Sequence, residues 1–154
     1  MLTLDTAAEK PEWQSSPAPF QNRALAVRVF DDKLFAIGGI NEDGPTDEVH
    51  IFDIANQQWS AGPVVPNEEG GMLAFGCSAV VLKDRLLVST YEGGIYQMGA
   101  DHSKWEKVHQ LESGRFFHHM IPVGESRFAM VGGANMSEGS FEEIEVVDVI
   151  DSGQ

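Results

Sequence analysis

The residues best suited to chemistry in this sequence lie in one segment, GRFFHHM, at positions 114–120. Arg115 and His118 can donate hydrogen bonds to carboxylates or to sugar hydroxyls, and Glu112 lies just before them. His119 follows His118 directly. Because consecutive side chains of a strand point to opposite faces, these two imidazoles are not placed to bind one metal ion. The segment therefore predicts polar recognition rather than a metal site.

The motifs of common catalytic sites do not occur in the sequence. There is no G-x-S-x-G, Walker or H-E-x-x-H motif. The acidic segment NEDGPTDE lacks the alternating oxygen ligands of an EF-hand loop. The single cysteine, Cys77, lies in an apolar segment and is predicted to be a small buried side chain. We therefore predict no metal and no cofactor, and the sequence favours a protein that is not an enzyme.

The charge of the chain limits its partners. It carries 24 acidic and 10 basic side chains, for a formal net charge of -14. This charge argues against general electrostatic binding to nucleic acid or to an anionic membrane, and it suits cations or a basic partner. No apolar run approaches the roughly 18 residues of a membrane span, and the N-terminal residues do not resemble a secretory signal. The sequence thus predicts a soluble protein and leaves its compartment open.

A repeat of about 46 residues organises the chain. Tryptophans mark it at Trp13, Trp59 and Trp105. A glycine pair occurs twice, two periods apart, at Gly38-Gly39 and Gly132-Gly133. Between these markers the segments KLFAIGG, RLLVSTY and RFAMVGG align without gaps. Several markers that agree on one period predict a repeat architecture.

Each repeat is predicted to form four short β-strands. In the first complete repeat these are ALAVRVF, KLFAIGG, EVHIFDI and QWSAGP, separated by turn residues. No window of the sequence shows a convincing helical stripe. Four-stranded units of this length cannot bury both faces alone and must stack, and stacking around an axis gives a β-propeller. The predicted fold class is all-β.

The repeats resemble those of the kelch-repeat β-propeller family, which includes galactose-oxidase-like proteins. Kelch blades show a strand that ends in Gly-Gly, a strand that ends in an aromatic-Asp pair, and then a tryptophan. Here these features are Gly38-Gly39, Phe52-Asp53 and Trp59. The glycines are expected to avoid collisions with the adjoining blade, and Trp59 and Trp105 are expected to be mostly buried between blades.

The repeat boundaries predict two complete blades with partial blades at both ends. Residues 1–19 form the last strands of a preceding blade, 20–66 and 67–111 form complete blades, and 112–154 form a blade without its final strand. Kelch propellers usually have six or seven blades, so this chain alone is not expected to close a ring. The expectation is that a second copy completes the ring, or that the chain is part of a longer propeller.

The resemblance also implies where partners bind. In kelch propellers, the loops from strand two to strand three share one face of the disc with the loops that connect successive blades. The acidic residues predicted on this face include Glu42, Asp43, Asp47, Glu48, Glu68, Glu69 and Glu138. Kelch repeats often place an arginine and a histidine near the channel mouth. The candidate ligand-binding residues are therefore Arg23, Arg115, His118, Glu112 and Tyr91.

Two functional hypotheses follow from the resemblance. The first is a binding module that recognises a protein or a saccharide through its loop face. The alternative is a fragment of a propeller enzyme that acts on a sugar, either mutarotase- or epimerase-like or oxidase-like. The oxidase branch uses a tyrosine-cysteine crosslink, and nothing in the sequence places Cys77 beside Tyr91 or Tyr96.

Overall fold

The computed structural model describes residues 1–67 and 71–149, and every regular element within these two ranges is a β-strand. The chain begins with an antiparallel pair, the N-terminal hairpin, made of β1 (Leu2–Leu4) and β2 (Trp13–Ser15). In the part of the chain that is described, no helix could cross a membrane.

Blade 1 is a four-stranded antiparallel sheet with a short ribbon in one of its loops. This part of the chain contains β3 (Ala26–Phe30), β4 (Lys33–Ile37), β5 (Ile40–Asn41), β6 (Gly44–Pro45), β7 (Val49–Asp53) and β8 (Gln58–Ala61). The sheet of blade 1 consists of β3, β4, β7 and β8, in that spatial order. Strands β5 and β6 pair only with each other, inside the loop from β4 to β7. The sequence did not predict this ribbon.

Blade 2 repeats this four-stranded order, and the described part of blade 3 contains the first three strands of a blade together with a short strand in the loop between the second and the third. Blade 2 contains β9 (Ser78–Leu82), β10 (Arg85–Ser89), β11 (Gly94–Met98) and β12 (Trp105–Gln110). Blade 3 contains β13 (Phe116–Pro122), β14 (Arg127–Asn135), β15 (Gly139–Ser140) and β16 (Glu145–Asp148). In blade 3 the long strand β14 pairs with β13, β15 and β16. The all-β architecture of kelch-type blades that the sequence predicted is confirmed.

The strand registers reproduce the alignment of the repeats. Phe52 lies opposite Trp59 in blade 1, and Met98 lies opposite Trp105 in blade 2. In the N-terminal hairpin Leu4 lies opposite Trp13. The hairpin therefore pairs in the same way as the third and fourth strands of a blade.

Two apolar clusters hold the blades together. The first joins Phe35, Ile37 and Val49 of blade 1 to Leu86 and Val88 of blade 2. The second joins blade 2 to blade 3 and contains Leu82, Leu87, Ile95, Phe128 and Met130. Because strand side chains alternate between faces, the middle blade supplies one row to each cluster. The hydrophobic core is thus a pair of interfaces between blades.

The two tryptophans of blades 1 and 2 differ in their surroundings. Trp105 is buried, with 8% of its surface exposed, and its indole N–H donates to the carbonyl of Pro63, 2.9 Å away in blade 1's outgoing connection. Trp59 is only half-buried and packs against Phe20 and Phe52 on the face of blade 1 turned away from blade 2. The predicted burial between blades is confirmed for Trp105. It is wrong for Trp59, because that face of blade 1 is incompletely covered.

A chain of backbone hydrogen bonds links the three blades where their innermost strands begin. The N–H of Gly76 donates to the carbonyl of Ala24 at 3.1 Å, and the N–H of Phe117 donates to the carbonyl of Gly76 at 2.8 Å. All three residues have a positive φ, between 54° and 61°. Blades 2 and 3 are therefore each hydrogen-bonded to the preceding blade through a residue with a left-handed backbone conformation.

Three of the four glycines in the two glycine pairs lie where an added Cβ atom would collide with nearby atoms. A Cβ atom on Gly38 would lie 2.4 Å from the Cβ of Ala74, in the connection to blade 2. A Cβ atom on Gly133 would lie 2.8 Å from the Cβ of His118, in the first strand of its own blade. Gly132 has a similar φ to Gly38, 69° against 64°, but open space around it. The expected collision with an adjoining blade is thus found at Gly38.

Gly38→Ala is expected to lower the free energy of unfolding by about 2 to 4 kcal/mol, because it combines a left-handed backbone with a steric collision. Gly132→Ala is the matched control, and it should cost only about 1 kcal/mol because the backbone conformation is its sole penalty. Urea unfolding of both variants measures the difference. Equal losses would show that the approach of Ala74 is not what requires glycine.

The outer faces of blades 1 and 3 expose apolar side chains. Val27 and Val29 of β3 are exposed on the outer face of blade 1. On blade 3, Ile121 and Val146 are exposed in one row across the sheet, with Ala129 between them. These outer faces are less completely covered than the faces packed against blade 2.

Candidate functional site

One side of the three blades carries the loops from second to third strands and the connections between blades, and we call it the loop face. The loops of the first kind span residues 38–48, 90–93 and 136–144, and the described parts of the connections span 16–25, 62–67, 71–77 and 111–115. The side that carries the turns 31–32, 54–57, 83–84, 99–104 and 123–126 is the opposite face. Because the strands of each blade run antiparallel, alternate connections lie on the same side, and the loop face therefore collects loops from all three blades.

An acidic cavity of about 330 Å³ lies on the loop face of blade 1. Its walls include the carboxylates of Glu42, Asp43 and Glu48, together with Asn41 and the connection 19–22. Glu42, Asp43 and Glu48 are exposed. The Nε2 atom of His50 lies 3.5 Å from Glu48. Such a cavity can accept a positively charged side chain, because three exposed acidic residues line a recess open to solvent.

Further acidic residues on the loop face are held by polar neighbours. Asp47 accepts a hydrogen bond from the side chain of Asn67 at 2.9 Å. Glu138 accepts from the Ser113 hydroxyl at 2.9 Å and from Asn135 at 3.0 Å, and these bonds, first that of Asn135, lower the pKa of Glu138. Glu138 is therefore ionised throughout the physiological range.

The opposite face carries both signs of charge, and four of its bases are matched to acids. Lys33 lies near Asp31 and Lys83 near Glu125, at 3.9 and 3.8 Å. The other two pairs are Lys104–Glu106 and Arg127–Asp148. Since each pair neutralises itself, the field of this face is weaker than that of the loop face.

Arg115 lies below the surface of the loop face rather than on it. Only 4% of its surface is exposed. Its Nη2 atom bonds to Glu145 Oε2 at 2.6 Å, and its guanidinium carbon lies 3.9 Å from the centre of the Phe141 ring. Nε and Nη1 are buried and have no partner among the described residues. The guanidinium thus joins the residue before β13 to β16 and to the loop that precedes β16.

His118 is also buried, with 3% of its surface exposed. Its Nε2 atom lies 2.7 Å from the hydroxyl of Ser89, which in turn donates to the carbonyl of Ser78 at 3.2 Å. Burial, reinforced by the positive charge of Arg115, lowers the pKa of His118 to about 4. His118 is therefore neutral at physiological pH. The Ser89–His118 pair is closed to a substrate because Ser89 has no exposed surface.

The remaining candidate residues lie in different surroundings. Arg23 and Glu112 are exposed on the loop face, and the backbone of Arg23 bridges to Ile40. Tyr91 is half-buried, and its hydroxyl accepts a hydrogen bond from the backbone N–H of Met136 at 3.3 Å. Glu68 and Glu69 lie outside the described residues. The structure does not gather the predicted ligand residues at one surface, and their role in binding stays a prediction.

An aromatic cluster that the sequence analysis missed lies on the loop face beside the inner strands. We define it as Phe75, Tyr91, Phe116 and Phe117. The rings of Tyr91 and Phe116 stack at 5.5 Å, and Phe117 meets Phe75 and Phe116 edge to face at 5.1 and 5.0 Å. Phe117 is 53% exposed. The pair FF next to HHM could have signalled this cluster, because two aromatic neighbours in a strand cannot both face the core.

A groove of about 350 Å³ runs along the three innermost strands below the cluster. It is lined by residues 24–28, 76–79 and 117–119. Cys77 lies in this lining but is buried, and burial raises the pKa of its thiol to about 12. The thiol is therefore protonated and is not a nucleophile at neutral pH, which agrees with the structural role predicted for it.

Comparison with known proteins supports the assignment of the repeats. The family described as the kelch motif matches residues 23–63, which include the whole of blade 1. The chain is 28% identical over 127 residues to Kelch-like protein 36 of Bos taurus, covering 77% of this chain and 20% of that protein. It is 29% identical over 131 residues to Host cell factor 2 of Homo sapiens, covering 77% and 16%.

A solved structure, titled "Structure of YjhT", has the same fold. It superposes with a TM-score of 0.75 at 19% identity, covering 98% of this chain and 50% of that one. The chain thus carries a kelch motif at residues 23–63 and shares the fold of kelch-type β-propeller blades. It spans about a fifth of the length of the curated relatives it matches.

Proposed function

We propose that this chain recognises a partner protein through its loop face and that the recognised segment is basic. The observation that carries the proposal is the distribution of charge. Glu42, Asp43 and Glu48 line one cavity of the loop face, whereas four bases of the opposite face are paired with acids. The matches to kelch-like proteins and to Host cell factor 2 support a role in protein interaction.

The clustered carboxylates of the loop face are expected to act mainly by raising the association rate of a basic partner. A field of one sign steers an oppositely charged partner toward the surface and weakens as salt is added. The net charge of -14 extends this attraction over the whole chain, and the acidic cavity concentrates it at one place. Binding should therefore be strong at low salt and specific to the loop face.

A variant that neutralises Glu42, Asp43, Asp47 and Glu48 is expected to bind a basic probe at least about tenfold more weakly at low salt, and with a flatter salt dependence. The probe is a fluorescein-labelled (Gly-Arg)6 peptide, followed by anisotropy, with neutral (Gly-Gln)6 as the blank. The substitutions are Glu42→Gln, Asp43→Asn, Asp47→Asn and Glu48→Gln.

A second variant changes the net charge equally on the opposite face. Its substitutions are Asp32→Asn, Asp84→Asn, Glu106→Gln and Glu125→Gln. It should bind (Gly-Arg)6 nearly as well as the unmodified chain. Equal weakening in both variants would show that binding depends on total charge and that the loop face is simply solvated.

A protein partner fits the site better than a saccharide or a sugar substrate. Two of the residues proposed to hold sugar hydroxyls, Arg115 and His118, are buried and already engaged by Glu145 and Ser89. Arg23 and Tyr91 remain at the surface. Titration with a panel of monosaccharides, followed by tryptophan fluorescence, tests the alternative, and turnover or binding of a sugar would favour it.

We further propose that additional kelch blades cover the two outer faces, supplied by a second copy or by the remainder of a longer propeller. The support is the exposed apolar rows, Val27 and Val29 on blade 1 and Ile121 and Val146 on blade 3. A standard interface buries about 800 Å² per partner. Light scattering should therefore show association of the chain expressed alone. A cooperative, soluble monomer would contradict this proposal.

A further inference from the structure

We propose that the aromatic cluster of the loop face binds an arginine or lysine side chain of the partner, with Phe117 as the main contact. This inference rests on the proposed function, since it names the anchor by which a basic segment is held. The aromatic cluster would thus be an uncharged binding surface beside the negatively charged carboxylates of the loop face.

The exposure of Phe117 is built into the backbone. The residue has φ 57°, a conformation that is costly for a bulky side chain, and its equivalents in blades 1 and 2 are Ala24 and Gly76. Phe117 nevertheless keeps the hydrogen bond from its N–H to Gly76, so its ring is fixed on a strained but well-held backbone. Such an arrangement presents an aromatic face at a defined place instead of burying it.

The surroundings of the cluster match a cation. Glu92 follows Tyr91 in the chain, and Glu138 lies in the loop whose Met136 N–H bonds to the Tyr91 hydroxyl. Exposed Glu112 precedes the strand that carries Phe116 and Phe117. An apolar segment of a partner protein would place its surface beside these carboxylates without neutralising their charge. A guanidinium or ammonium can instead lie on the rings while its charge faces the acids.

The chain already binds one of its own arginines in this way. The guanidinium of Arg115 lies 3.9 Å from the centre of the Phe141 ring while Glu145 accepts its Nη2 hydrogen bond at 2.6 Å. The exposed ring of Phe117, which packs against the half-buried ring of Phe75, offers the first of these interactions at the surface, and the glutamates of the neighbouring loops offer the second. The occupant that fits the cluster is therefore a basic side chain of an extended partner segment.

The test is anisotropy with (Gly-Arg)6 on the whole chain. Phe117→Leu keeps an apolar side chain but removes the ring, and it should weaken binding about fivefold to tenfold with an unchanged salt dependence. Phe117→Gly relieves the backbone strain and should show the same loss. Trp13→Leu is the control, because Trp13 is an exposed aromatic residue of the N-terminal hairpin outside the cluster, and it should bind normally.

The outcomes separate this inference from the proposed function. Suppose that both Phe117 variants bind like the unmodified chain while the variant with Glu42, Asp43, Asp47 and Glu48 neutralised does not bind. The proposed role of Phe117 is then overturned, and the proposed recognition of a basic segment is retained. If the unmodified chain does not bind (Gly-Arg)6, both are overturned. Weakening by Trp13→Leu equal to that by Phe117→Leu would also overturn the anchor, since binding would then follow exposed aromatic surface in general.

Discussion

Trp105→Ala is expected to lower the free energy of unfolding by about 3 to 5 kcal/mol, a larger loss than that expected for Gly38→Ala. The indole fills the wedge between blades 1 and 2 and belongs to the cluster that joins them. Alanine would leave a cavity there, and the carbonyl of Pro63 would lose the hydrogen bond that Trp105 donates at 2.9 Å. Urea unfolding at neutral pH measures the loss.

Trp13→Ala is the natural control for this experiment, because the side chain of Trp13 is 67% exposed on the N-terminal hairpin. We expect it to cost less than about 1 kcal/mol, as for a surface substitution. Trp59→Ala should fall between the two, since its ring is half-buried against Phe20 and Phe52. A loss below about 1 kcal/mol for Trp105→Ala would mean that the wedge does not hold the blades together.

Acidification is expected to destabilise the fold through His118. The pKa of this residue is about 4 in the folded chain, against an ordinary value of 6.5, because it is buried near Arg115. The unfolded chain therefore binds a proton before the folded chain does, and stability falls as the pH drops from 6.5 toward 4. Between about pH 7.5 and pH 5 this amounts to about 2 kcal/mol.

His118→Gln should remove most of this pH dependence, while it also weakens the fold at neutral pH through loss of the contact with Ser89. His119→Gln is the matched control, because the neighbouring imidazole is exposed. It should retain the pH dependence of the unmodified chain. Urea unfolding at a series of pH values gives the comparison. Parallel pH profiles for the unmodified chain and His118→Gln would contradict a buried neutral histidine.

The blades could be predicted from the sequence because their markers are local and repeated. In blades 1 and 2 a tryptophan of the fourth strand lies opposite the end of the third strand, at Phe52–Trp59 and at Met98–Trp105. This pairing fixes the register of the two strands, and its recurrence defines the repeat. The half-burial of Trp59 could not be predicted in this way. It depends on how much of the outer face of blade 1 is covered, which is a property of packing between units.

The candidate site could be predicted in its charge but not in its contacts. The acidic residues Glu42, Asp43 and Glu48 lie in the loop between the second and third strands of blade 1, so their position on the loop face follows from the repeat. Arg115 and His118 were candidates for binding a ligand. The structure buries them because Glu145 and Ser89, distant in sequence, provide their partners. The exposure of Phe117 depends on a positive φ that no local residue pattern reveals.

The measurement that most directly tests binding through the loop face is a two-dimensional NMR titration of isotope-labelled chain with (Gly-Arg)6. We predict that the shifted amide signals belong to residues 38–48, 90–93, 112–117 and 136–142, which surround the acidic cavity and the aromatic cluster. Shifts concentrated in the turns at 31–33, 83–85, 99–104 and 123–126 would place the peptide on the opposite face. That result would contradict the proposed recognition of a basic partner by the loop face.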